Sequence, residues 1–141
     1  MKLKKPHLLV AGVALLAVIQ VVPVAHTNPP VEAEVAASPE VKAILRRACY
    51  DCHSNETVWG WQTYVAPVSW LVAHDVSEGR EELNVSRWGQ MEPGKKARLA
   101  KKIQEEVGSQ EMPPLLYRVA HPASRLTEAE REAIAAWARS L

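Results

Sequence analysis

The sequence predicts an all-α domain of about four helices joined by two long loops. Four segments, 38–53, 67–82, 95–107 and 127–141, place apolar residues at helical spacing. Helix start and stop signals bracket them, and no segment shows the strict alternation of a half-buried strand. At 141 residues the chain has room for one such domain and an N-terminal appendage.

The appendage comes first. Lys2, Lys4 and Lys5 precede the apolar run "LLVAGVALLAVIQVVPVA", Leu8 to Ala25, broken only by Gln20. As a helix this run reaches about 27 Å, just under the ~30 Å hydrocarbon core of a bilayer. Residues 1–25 therefore read as a signal anchor, an N-terminal membrane helix. A cleaved signal peptide needs small residues three and one positions before the cut, and the nearest site, before His26, has Pro23 at the outer position. The lysines favour the cytoplasmic side, which sends the rest of the chain across the membrane. Residues 26–37, rich in Pro, Ala and acid, read as a linker that holds the domain, 38–141, off the membrane.

The first domain helix runs from Ser38 to His53. Ser38 can cap it, Pro39 suits its first position, and Val41, Ile44, Leu45 and Ala48 form its stripe, which Cys49 and Cys52 continue. "SNETVWGWQTYVAP" lacks a period and reads as a structured loop. The second helix, Pro67 to about Glu82, has Val68, Leu71 and Val72 on its apolar side. After the loop "LNVSRWGQMEPG" the third spaces Leu99, Ile103 and Val107 by four, with Lys95, Lys96, Arg98, Lys101 and Lys102 mostly outward. "SQEMPPLLYRVAHPASRL" carries three prolines and reads as extended or looped. In the last helix Thr127 and Glu130 form a capping box, and Ile134, Trp137 and Leu141 give the buried stripe. Four of the five Trp fall between Trp59 and Trp88, which predicts one wall of a shared core or pocket.

Without the three N-terminal lysines the formal charge is −2, 14 Lys+Arg against 16 Asp+Glu. No net basic field exists to attract nucleic acid. The lysines of the third helix read as a solvated face, with docking of an acidic redox partner as the functional reading.

Both cysteines lie in "RRACYDCHSNETVW". A three-residue disulfide is geometrically feasible in an exported chain. Zinc needs a second ligand pair that is absent from the cysteine inventory, and a redox dithiol of the thioredoxin kind expects a βαβ setting. The remaining reading is C-x-x-C-H, the attachment signature of c-type haem. Two random cysteines in 141 positions fall three apart about once in 70, and His follows about once in 28. At i and i+3 of a helix, Cys49 and Cys52 project to one side, where both thiols can add to the vinyl groups of one porphyrin. His53 then serves as proximal iron ligand and must give its other N–H to an acceptor.

A haem built for electron transfer takes a second axial ligand. Met112, in "EMPPLLY", has a backbone stiffened by Pro113 and Pro114 and lies far enough from His53 for the chain to return over the opposite face. His74, mid-helix beside Asp75, is the alternative; Met91 and His121 stand in loops and have weaker claims.

The blocks "CYDCHSNETVWGW", "APVSWLVAHDVSEGREELNVSRW" and "MPPLLY…HP…LT…W" together resemble the bacterial haem-binding domain family of small, single-haem, cytochrome c-like proteins. The resemblance runs from about Asn28 to Trp137. It departs from the family at Gly60 and Gln62, where Pro and an aromatic are usual, and at Val85, where Phe is usual. It implies a membrane-tethered protein facing the periplasm from the bacterial inner membrane, or a soluble periplasmic one after cleavage. It implies Cys49, Cys52 and His53 as attachment motif and favours Met112 as distal ligand. The expected protein is a mono-haem c-type cytochrome with one covalent haem c, a one-electron carrier between periplasmic or membrane redox partners and not an enzyme. Without a sixth ligand the iron would instead suit a gas sensor or a peroxidase-like protein.

Overall fold

The computed structural model describes residues 5–141, and among them every regular element is helical. The elements are α1 (Lys5–Ile19), α2 (Pro39–Ala48), α3 (Tyr50–His53), α4 (Val68–Glu82), α5 (Pro93–Gly108), α6 (Leu115–Ala120) and α7 (Glu128–Arg139). Turns of 3₁₀ helix at Trp61–Tyr64, Val85–Gln90 and Pro122–Ser124 order parts of the loops.

The core forms where the helical stripes meet. Ser38 Oγ accepts the Val41 N–H, starting α2, whose Val41, Ile44, Leu45 and Ala48 are buried as one face. The Thr127–Glu130 capping box starts α7, and its Ile134 and Trp137 pack against α5 through Leu99 and Val107. α2 lies across α7, and α3 crosses α4.

Four sequence expectations change. First, α1 ends at Ile19 after 15 residues, about 22 Å, and no helix among the described residues is long and apolar enough to cross a membrane. The expected N-terminal membrane helix is therefore not found; Lys2 and Lys4 lie outside the described residues. Gln20 is the local reason. Its Nε2 donates back to Leu16 O at 2.8 Å and across to Ala66 O at 3.2 Å, and its Oε1 accepts the Ala66 N–H at 2.9 Å. Pro23 then makes helix continuation costly.

Second, residues 26–37 do not stand off as a linker. Val35 is buried in the core, its N–H bonded to Val85 O at 2.8 Å, and Ala33 N–H reaches Ser86 O at 3.0 Å. Trp137 Nε1 donates to Ala36 O at 2.8 Å, and Glu34 accepts from the Tyr50 hydroxyl and from Lys42. A Pro- and Ala-rich strap can lie flat where its backbone groups find partners.

Third, the expected Ser38–His53 helix breaks at Cys49, φ −128°. Cys49 N–H closes α2 on Leu45 O, and Cys49 O opens α3 by accepting from Cys52 N–H at 3.3 Å and His53 N–H at 2.9 Å. Fourth, the Pro-rich stretch contains α6. Pro114 precedes its first turn, where a fixed φ and a missing N–H cost nothing.

Candidate functional site

A cavity of about 570 Å³ opens between α2, α3, α4, α5 and the segment around α6. That is within the ~300–1,000 Å³ of small-molecule and cofactor sites. Its inner wall is aliphatic, from Leu45, Val85, Leu99, Leu126 and Ile134, with Trp137 beside them. Cys49, Cys52, His53 and Met112 all line it.

The cysteine turn is placed by backbone geometry. Cys49 ends α2 and begins α3, so both thiols reach the cavity and remain unlinked. Burial pushes the Cys49 thiol up to about 12 and the Cys52 thiol to about 11. Both are therefore neutral near pH 7. A redox dithiol or a thiolate metal site would need the opposite shift. Among the described residues no group of three or more His, Cys, Asp or Glu side chains could hold a metal ion.

His53 is fixed by the C-terminal end of α4. Its Nδ1 lies 2.9 Å from Gly79 O and 3.2 Å from Leu83 O. Carbonyls only accept, so Nδ1 carries the proton and Nε2 keeps a lone pair. Burial lowers the imidazolium pKa, and the two carbonyls only partly oppose this, so the ring stays neutral. A ligating imidazole held by a carbonyl acceptor is the arrangement that fixes ring orientation and strengthens its donor nitrogen.

Gly79 makes that contact feasible. A Cβ placed there would lie 2.5 Å from Cys52 O, so α4 and α3 can cross this closely only at glycine. Sequence reasoning passed over Gly79, although a lone Gly inside a helical pattern is the signal of close approach.

The Met112 segment is anchored on both sides. Met112 N–H donates to Glu106 O at 3.1 Å, and downstream the Tyr117 hydroxyl donates to Asp51 Oδ2 at 2.7 Å. Asp51 sits between the two cysteines and also accepts the Val58 N–H through Oδ1 at 3.0 Å. One carboxylate thus ties the loop after Met112 to the cysteine turn. Burial, with Asp51 adding to it, drives the Tyr117 phenol well above its ordinary pKa.

The other candidates fall elsewhere. His74 is on the outer side of α4, 3.4 Å from Glu78, and does not line the cavity. His121 stacks on Tyr117 at 4.4 Å and Met91 packs on the core; neither lines the cavity. The tryptophans do not form a common wall: Trp88 is core, Trp61 is 80 % exposed, and only Trp137 borders the cavity.

A largely apolar space of this volume with a neutral imidazole, a thioether and two protonated thiols on its walls suits an iron porphyrin. No curated protein and no solved structure matches the chain. The family model of the haem-binding domain matches residues 14–140, nearly the whole chain and all of the cavity, and the chain belongs to that haem-binding domain family.

Proposed function

We propose that the protein is an exported mono-haem c-type cytochrome that carries single electrons between periplasmic or membrane-bound redox partners. Cys49 and Cys52 would form the two thioethers, His53 the proximal ligand and Met112 the distal one. The observation that supports this most is the His53 ring. Its Nδ1–H is consumed by Gly79 O and Leu83 O, which leaves Nε2 for iron in a residue bordering the same cavity as both thiols and Met112.

When bound, the haem supplies the Fe(III)/Fe(II) couple. The chain's own residues do the rest. The Gly79 and Leu83 carbonyls hold the imidazole orientation, and Glu106 O and the Asp51–Tyr117 bond position the Met112 loop. The aliphatic wall would keep water from the metal. Two axial side chains leave no coordination site for a substrate, so the reading is an electron carrier and not an enzyme.

The test is a pyridine haemochrome assay and a ferric spectrum on protein made with haem-attachment machinery. Haem that stays with the chain on a denaturing gel supports covalent attachment. A weak ferric band near the red edge of the visible, absent in Met112→Ala, supports thioether ligation. A high-spin ferric spectrum in the intact protein overturns it.

A further inference from the structure

We propose that the loop Trp61–Val68 is a lipid-contact surface, which seats the domain on the same bilayer face that receives α1. Two stretches of the chain, 6–31 and 57–74, contain no Asp, Glu, Lys or Arg. The fold joins them. Gln20 exchanges hydrogen bonds in both directions with Ala66. His26 stacks on Tyr64 at 4.1 Å, meets Trp59 edge-on at 4.8 Å and bonds Thr63 O. Asn28 bonds both Thr57 O and the Trp59 indole.

The joined surface is apolar outward. α1 has no buried residue, and its apolar side chains surround it on all sides. A protein groove covers one face of a helix, whereas lipid covers all of them, so lipid is the occupant that matches. Trp61, Tyr64, Val65 and Val68 are exposed beside the point where Gln20 ends that helix. A Trp and a Tyr at the end of an apolar helix, in stretches that themselves carry no charge, match the composition of a membrane–water interface. Leu71, in the same uncharged stretch, borders the haem cavity, so this seating would turn one cavity edge towards the lipid.

This inference rests on residues 5–22 entering lipid, without crossing it, and the experiment separates the two. The full haem-loaded chain is put into phosphatidylcholine–phosphatidylglycerol vesicles and footprinted with hydroxyl radicals. Each residue's rate is divided by its rate in the urea-unfolded chain. Trp61 and Tyr64 are expected to fall about ten-fold relative to Val119, which is comparably exposed but lies on α6 away from the cavity lining. Protection of Leu8–Val22 with Trp61 labelled as freely as Val119 overturns the surface and leaves the lipid-seated helix standing. Labelling of both regions overturns both. Protection that needs no vesicles and grows with protein concentration assigns the surface to a second copy and overturns the lipid reading. In oriented bilayers the Soret band is expected to be dichroic, and Trp61→Ser, which removes an 80 % exposed side chain, is expected to abolish that. Unchanged dichroism in this variant overturns the proposal.

Discussion

Replacing Gly79 with Ala adds one methyl group where α4 crosses the cysteine turn. The new Cβ would lie 2.5 Å from Cys52 O and 3.0 Å from Cys52 C and Cβ, against 3.4 Å or more for an ordinary contact. The backbones must therefore part by about 0.9 Å, and overpacking of this kind costs about 1–3 kcal/mol. Helix propensity acts the other way, because Ala in a helix interior is favoured over Gly by about 1 kcal/mol. The expected net loss is up to about 2 kcal/mol once the helical gain is set against the clash. The same parting stretches the His53 Nδ1 to Gly79 O bond beyond its 2.9 Å, which weakens the imidazole as a donor and raises the haem midpoint potential. Urea unfolding of the haem-loaded protein reads the first effect and a redox titration the second. A variant as stable as the parent, with an unmoved potential, would refute the claim that glycine sets this crossing.

Three further changes test other parts. Arg80→Leu removes bonds to Ser54 O, Thr27 O, Asn28 Oδ1 and Thr57 Oγ1, and strands the carbonyl of the fully buried Ser54; a loss of about 1–3 kcal/mol is expected in the same urea assay. Glu34→Ala leaves the buried Tyr50 hydroxyl without its acceptor, at a cost of about 1–3 kcal/mol. Burial acts upward on the Glu34 carboxyl, but the Lys42 and Tyr50 bonds outweigh it and hold the pKa below 4.5. Its contribution is thus present above that pH and lost as pH falls through the lowered value, so Glu34→Ala should flatten the acid limb of a thermal-midpoint profile. Tyr117→Phe frees the Met112 loop from Asp51; under the proposed Met112 ligation, added imidazole should then displace the thioether about ten-fold more readily in an absorbance titration, equivalent to about 1.4 kcal/mol.

The helices α2, α4, α5 and α7 were legible because their apolar stripes and caps are local signals. The break at Cys49 was not. Nothing in "RRACYDCH" marks it, and it follows from α3 having to meet α4 at Gly79. Prolines hid α6, since the same residues that end a helix also start one well. In the site, Cys49, Cys52, His53 and Met112 could be named from spacing and residue chemistry alone. Their supports could not: Gly79 O, Leu83 O and Asp51 act through tertiary contacts or backbone atoms, which carry no residue-type signature. The tryptophan cluster misled because sequence proximity says nothing of which way each indole turns.

The strap from His26 to Ala37 decides how the protein can be shortened. A soluble fragment cut at the compositional boundary, beginning at Ser38, would lose Val35 from the core, about 1.5–3 kcal/mol of burial. It would also bare the Val85 carbonyl, leave the Trp137 indole without Ala36 O and the Tyr50 hydroxyl without Glu34, and release Arg80 from Thr27 and Asn28. Proteolysis should show the same thing. A nick between Ala25 and Thr27 leaves most of the strap in place, whereas one near Ala37 frees the edge on which the second half of the domain closes.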